Sequence, residues 1–72
     1  MITNEIYELA EKYGRNIDKF YDGSAGFIVN GYRVMVEALG NGFMVYHYTK
    51  GKPNRYFSTL NETDAYLKEL TK

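Results

Sequence analysis

Apolar residues recur at helical spacing in the first segment of the chain, which predicts a helix over residues 3–13. Thr3 is expected to cap this helix, and Gly14 to end it in a left-handed conformation. Glu8 and Lys12 stand four residues apart, so we expect an ion pair on the polar side. The residues on the apolar side are Ile2, Ile6, Leu9, Ala10 and Tyr13.

A second helical pattern occupies the end of the chain, with Tyr66, Leu67 and Leu70 as its buried stripe. Asn61 is the expected N-cap, and Asp64 three residues later gives a variant of the capping box. Leu60 is expected to pack against Ala65 as a hydrophobic staple.

The middle of the chain is rich in β-branched and aromatic residues, which predicts strands. Asn30-Gly31 is either a tight turn or a bulge, and Asn41-Gly42 is expected to form a type I′ hairpin turn. Gly23 to Gly26 has loop composition, and the rest of residues 15–26 fits a short strand or a helical turn equally well. The strands predicted from this pattern cover residues 27–29, 32–38, 43–48 and 55–58.

These elements predict one α+β domain spanning residues 1–72. An N-terminal helix, a three- or four-stranded antiparallel meander and a C-terminal helix follow one another, with both helices packed on one sheet face.

The Asn41-Gly42 turn sets a register in which side chains of the two central strands alternate between two faces. In this register Gly40 pairs with Phe43, Ala38 with Val45 and Val36 with His47. One face, called here the valine face, carries Tyr32, Val34, Val36, Ala38, Phe43, Val45 and His47. The other, called the Met/Tyr face, carries Arg33, Met35, Glu37, Leu39, Met44, Tyr46 and Tyr48.

Two short helices cover one side of a small sheet but hardly both, so we expect the Met/Tyr face to be open and to bind a partner. Met and Tyr are enriched at interfaces, and contiguous apolar patches mark contact sites. The expected partner-binding residues are Arg33, Met35, Glu37, Met44, Tyr46 and Tyr48. The alternative is that Phe20, Tyr21 or the loop around them folds over this face and closes a second small core.

Composition and charge disfavour several classes of function. The chain has 72 residues, no cysteine, eight tyrosines and a formal net charge of zero. Neutral charge disfavours general binding to nucleic acid or membrane surfaces. No apolar run approaches the ~20 residues of a membrane span, and the N-terminus lacks signal-peptide features, so we expect a cytoplasmic protein.

Candidate catalytic and metal-binding residues are sparse. His47 is the only histidine; it is expected on the valine face, away from Glu37, and we interpret it as structural. Asp18 and Asp22 are expected to solvate a loop and cap a turn. We therefore expect no enzymatic activity, metal, cofactor or small-molecule substrate.

A basic turn gives the alternative function. Lys50, Lys52 and Arg55 stand near Tyr48 and Tyr56, and basic residues interleaved with aromatic ones bind single-stranded nucleic acid.

The predicted order of elements resembles the double-stranded RNA-binding domain along nearly the whole chain. That family has a Lys-Lys-x-x-Lys start to its last helix, whereas this chain has the acidic stretch Asn61 to Asp64, so the resemblance implies topology and not RNA binding. The stretch from Arg55 to Leu70, a Tyr-Phe-Ser-Thr-Leu strand leading into a capped helix, resembles small phage and prophage proteins of Gram-positive bacteria. That resemblance implies an accessory protein that binds a host or phage macromolecule.

These observations together favour a small non-enzymatic accessory protein. It would bind a protein partner or form a homodimer through the Met/Tyr face.

Overall fold

In the part of the chain that the structure describes, five strands form one antiparallel sheet, with one helix before them and one after them in sequence. A computed structural model describes residues 4–49 and 51–72. The sheet follows chain order, β1-β2-β3-β4-β5, so every strand pairs with its sequence neighbours. The predicted α+β architecture is confirmed, and the sheet has five strands rather than three or four. The elements are α1 (Glu5–Tyr13), β1 (Arg15–Lys19), β2 (Ala25–Val29), β3 (Tyr32–Leu39), β4 (Gly42–His47), β5 (Arg55–Phe57) and α2 (Leu60–Leu70).

Helix α1 ends at Tyr13 as predicted, but its start and the conformation of Gly14 differ from the prediction. It begins after Asn4, and the predicted contributions of Ile2 and Thr3 lie outside the described residues. Gly14 is extended (φ −114°), not left-handed. Glycine is needed at position 14 for a different reason, because a Cβ there would overlap the ring of Phe27. Glycine lets the chain turn from α1 into β1 directly against the core.

The expected Glu8–Lys12 pair is replaced by a contact between the helices. Lys12 Nζ lies 3.0 Å from Asp64 Oδ2 on α2, and the Tyr13 hydroxyl donates to Asp64 Oδ1. Asp64 therefore joins α1 to α2 and is not the capping residue that the sequence predicts.

The undecided segment, residues 15–26, forms strand β1 and a tight turn. Asn16 has a positive φ of 55°, and the pairing with β2 shifts between Arg15 and Asp18, which marks a bulge. In the turn, Asp22 Oδ1 accepts hydrogen bonds from Ser24 N and Ser24 Oγ at 3.0 and 2.6 Å. The predicted turn-capping role of Asp22 is confirmed, whereas residues 25 and 26, predicted as loop, already belong to β2.

The two tight turns of the central sheet resolve the register. Asn30 and Gly31 both have positive φ, 48° and 84°, as a type I′ turn requires. The next turn is Gly40-Asn41 rather than Asn41-Gly42, because Leu39 pairs with Gly42. Gly40 supplies the positive φ (62°), and Gly42 is held in the strand, where a Cβ would overlap Tyr56 and the Phe57 carbonyl.

The predicted register is therefore wrong by two residues, and the assignment of faces survives. Val36 pairs with Val45, Ala38 with Phe43, and Val34 with His47. Because side chains alternate with a period of two, a shift of two residues returns each side chain to the same face.

The hydrophobic core lies between the valine face and the two helices. Ile6, Leu9 and Ala10 enter it from α1, and Leu67 and Leu70 from α2. The sheet residues of the core are Ala25, Phe27, Val29, Val34, Val36 and Val45. The predicted packing of both helices on one face is confirmed.

Helix α2 begins earlier than predicted, with Thr59 rather than Asn61 as its N-cap. Thr59 Oγ1 accepts a hydrogen bond from Glu62 N at 3.1 Å and donates to Glu62 Oε1 at 3.1 Å. This is a Thr-x-x-Glu capping motif. Leu60 is thus the first helical residue and Ala65 is exposed, so the expected staple does not form.

Candidate binding surface

The Met/Tyr face lies on the side of the sheet opposite both helices. Arg33, Leu39 and Tyr48 are exposed, with 62% of the Tyr48 surface open to solvent. The remaining predicted residues of this face, namely Met35, Glu37, Met44 and Tyr46, are half-buried by their strand neighbours. The face is therefore apolar along its centre and accessible from solvent.

Residues that the sequence did not assign extend this face on both sides. Ile28 on β2 pairs with Arg33, and Tyr56 on β5 pairs with Met44, so both side chains point to this side of the sheet. The position of Tyr56 depends on the pairing of β5 across the irregular turn before it, which no sequence pattern specified.

The sequence also allowed the β1–β2 turn to fold over the Met/Tyr face. In the structure this turn covers only one margin of that face. Phe20 lies beside Gly26 and lines a shallow cleft of about 170 Å³, but 43% of its surface stays exposed. Tyr21 is 98% exposed and points away from any core. The other residues lining this cleft include Asp18, Arg33, Met35 and Tyr48.

Strand β3 carries two opposite charges on this face, and β1 adds Arg15 and Asp18 at its margin, opposite Ile28 and Gly26. Arg33 and Glu37 flank Met35 along β3, two residues away in each direction. The Tyr46 hydroxyl donates to Glu37 Oε1 at 3.0 Å, and this bond to a carboxylate raises the pKa of Tyr46. Within residues 4–49 and 51–72, the Arg33 guanidinium is in no ion pair.

The sheet edges are poor sites for strand addition. The β1 edge is interrupted by the bulge at Asn16, and β5 has only three residues. Bulges and short strands are common ways of blocking edge-to-edge pairing. The broad surface left for a partner is the Met/Tyr face.

The basic turn predicted as a nucleic-acid site is divided between two sides of the sheet. Lys50 lies outside the described residues. Lys52 lies over the Tyr32 ring at 5.2 Å, and Arg55 over the Tyr66 ring at 5.2 Å, both on the valine-face side. Tyr48 and Tyr56 belong to the opposite face, so they do not interleave with these cations.

His47 lies on the valine face, as predicted, but opposite Val34 rather than Val36. Its Nε2 is 2.7 Å from the Tyr66 hydroxyl, while Nδ1 is buried and has no hydrogen-bond partner. Burial lowers the pKa of His47, and the nearby Lys52 and Arg55 lower it further. Glu37 is on the other face, and among the described residues no carboxylate orients His47 as a general base.

Neither a metal-binding cluster nor a membrane-spanning helix occurs in the described part of the chain. It contains no group of three or more His, Cys, Asp or Glu residues placed to hold a metal ion. None of its helices is long and apolar enough to cross a membrane.

No protein-family model, curated protein or solved structure matches this chain. The resemblance of residues 55–70 to phage accessory proteins thus stays a prediction, and function rests on the geometry above.

Proposed function

We propose that this protein is a small non-enzymatic binding module that associates with a second copy of itself through the Met/Tyr face. The observation that carries the proposal is a sheet face with an apolar centre and no helix packed on it, in a chain whose two helices both cover the other side. Met and Tyr at the centre of this face are side chains enriched at interfaces.

The arrangement of charges supports a second copy as the partner. Consider a twofold axis that lies in the plane between two such faces, runs perpendicular to β3 and passes above Met35. This axis places β3 antiparallel over its copy. Arg33 of each chain then lies over Glu37 of the other. The two opposite charges of β3, placed on either side of a central residue, are complementary to themselves under this rotation.

The same rotation also matches the neighbouring strand. Met35 pairs with Tyr46, so the axis passes near both residues. Tyr48 of one chain then lies over Met44 of the other, and a sulfur–aromatic contact is favourable. Aligned packing of two sheets about 10 Å apart accommodates these side chains.

The size of the face sets the expected affinity. Strands about 4.8 Å apart, rising about 3.3 Å per residue, give it a projected area of roughly 400 Å². With side-chain relief, two faces bury about 1,000 Å² in total, at the lower limit of specific interfaces. We therefore expect a dimer with a dissociation constant in the micromolar range.

The nucleic-acid alternative has weaker support. Lys52 and Arg55 lie on the valine-face side, whereas the tyrosines expected to receive bases, Tyr48 and Tyr56, lie on the other side of the sheet.

Sedimentation equilibrium across a protein concentration series of about 1 µM to about 1 mM tests the proposal, since this range spans the expected affinity. We expect a monomer–dimer equilibrium, lost in Met44→Asp and in Tyr46→Asp, because each buries a carboxylate in the interface.

Tyr21→Asp is the matched control, since it makes the same change at an exposed tyrosine outside the face. It should leave association unchanged. A strict monomer across the whole range, or equal loss of association in the control, would contradict the proposal.

A further inference from the structure

A cluster of aromatic and basic side chains lies at the margin of the valine face, on the side of the sheet opposite the proposed interface. His47 is its centre, and its ring meets Tyr32 and Tyr66 edge-on, with centroids 6.4 and 5.8 Å away. Lys52 lies over the Tyr32 ring, and Arg55 lies over the Tyr66 ring. Two cations from one turn and its following strand thus flank a single imidazole.

These cations lack negatively charged partners in the described part of the chain. The ion pairs found there involve other lysines, namely Lys12, Lys19 and Lys72. Both cations also contribute to lowering the pKa of His47, and no carboxylate opposes them. The cluster is therefore a region of positive potential without a counter-charge.

Contacts within the chain orient both exposed cations before any ligand binds. Cation–π contacts hold both side chains against rings at 5.2 Å. The turn that carries them is attached to β4, because Asn54 Oδ1 accepts a hydrogen bond from His47 N at 2.8 Å. Preorganised donors lose less conformational entropy when they bind.

The hydrogen bond between His47 and Tyr66 identifies a third donor. Buried N–H groups without an acceptor are rarer than buried acceptors without a donor. This favours the tautomer in which Nε2–H donates to the Tyr66 oxygen and the unpartnered Nδ1 is an acceptor. The Tyr66 hydroxyl proton is then free to donate outward.

We propose that Lys52, Arg55 and the Tyr66 hydroxyl form a binding site for a phosphate group. A phosphate dianion matches two positive charges, and its several oxygens accept from an ammonium, a guanidinium and a hydroxyl together. The rings of the cluster are occupied by the chain's own cations, so the site binds the phosphate rather than a base. The ligand is inorganic phosphate or a small phosphomonoester.

Titrating the labelled protein with inorganic phosphate and, separately, with glycerol 3-phosphate tests the site by nuclear magnetic resonance at low ionic strength. We expect saturable shifts at the amides of Lys52, Asn54, Arg55 and Tyr66, and a higher pKa of His47 when phosphate is bound, because an anion favours the imidazolium. Tighter binding of glycerol 3-phosphate would identify a phosphomonoester as the ligand, and tighter binding of inorganic phosphate the free ion.

Variants separate this site from general electrostatic attraction. Lys52→Gln and Arg55→Gln should each weaken binding about tenfold, as loss of a charge-assisted contact predicts. Tyr66→Phe retains the ring and should weaken binding severalfold. Lys68→Gln is the control; it removes the same charge from an exposed position on α2 and should leave binding unchanged.

An absence of saturable shifts, or equal weakening in Lys68→Gln, would overturn the site. Unchanged affinity in Tyr66→Phe would show that the Tyr66 hydroxyl does not contact the phosphate. These outcomes are independent of the dimer, because the cluster and the Met/Tyr face lie on opposite sides of the sheet.

Discussion

The two faces of the sheet arise from the same strands but carry different kinds of side chain. Val34, Val36 and Val45 on the valine face have no more than 1% of their surface exposed. Their neighbours on the Met/Tyr face, such as Met35 and Tyr46, are only half-buried. Alternation along β3 and β4 thus separates a core from a surface within a few ångströms.

The difference in side-chain type matches the difference in burial. Valine is stiff about χ1 and fills a fixed space beneath the helices. Methionine is flexible and adapts to irregular partners, while tyrosine buries its ring and keeps its hydroxyl available. The valine face is buried within the chain, and the side chains of the Met/Tyr face fit the proposed burial by another molecule.

The largest effect is expected from a substitution in the core between the valine face and the helices. Phe27 is 1% exposed on β2 beneath the helices. Phe27→Ala should lower the free energy of unfolding by about 3–5 kcal/mol, since it removes buried surface and leaves a cavity. A domain of this size has only about 0.05–0.15 kcal/mol of stability per residue, so this one substitution would remove a large fraction of its free energy of unfolding.

Tyr48→Ala is the matched change on the Met/Tyr face, and urea denaturation of dilute protein compares the two. We expect it to change stability by less than about 1 kcal/mol, because Tyr48 is mostly exposed in one chain. Comparable losses in the two variants would mean that both faces belong to one core.

A smaller effect is expected where the two helices join over the valine face. Hydrogen bonding from Tyr13, followed by contact with Lys12, lowers the pKa of Asp64 below its ordinary value of 3.8. Asp64→Asn should therefore lower Tm by about 5 °C at neutral pH. A carboxylate with a lowered folded-state pKa stabilises the fold above its ordinary pKa and loses that contribution as pH falls through the folded-state value. The difference in Tm between the wild type and Asp64→Asn should then shrink below about pH 3.

Thermal melts across this pH range measure the effect. Glu69→Gln is the control, because its partner Lys72 is 3.3 Å away and both side chains are about 70% exposed. Exposed pairs contribute little, so its Tm should stay within about 2 °C of the wild type. An equal drop in the control, or a difference from Asp64→Asn that persists in acid, would exclude the helix-joining contact as the cause.

Sequence periodicity was sufficient to predict the helices, the central strands and the separation of faces. Those features depend on local spacing, and the two-residue error at Gly40-Asn41 leaves the period of two intact. Either glycine near Asn41 satisfies turn chemistry. Close packing decided between them, because Gly42 lies against Tyr56 and the Phe57 carbonyl.

The parts that periodicity missed depend on contacts between distant residues. Strand β1 has a bulge that disrupts alternation, so residues 15–26 showed no clear period. Asp64 was assigned to a cap because its true partners, Tyr13 and Lys12, are about fifty positions away in the chain. The cluster around His47 combines β3, β4, β5 and α2, and no short motif encodes it.

The most direct test of the central claim reverses the charges of the Met/Tyr face. Arg33→Glu alone and Glu37→Arg alone should each dissociate the dimer, because the twofold places like charges opposite each other. An equimolar mixture of the two variants should restore a heterodimer, seen by sedimentation equilibrium as twice the monomer mass. Association of either variant alone at wild-type strength, or no recovery on mixing when the wild type dimerises, would contradict the twofold pairing of this face.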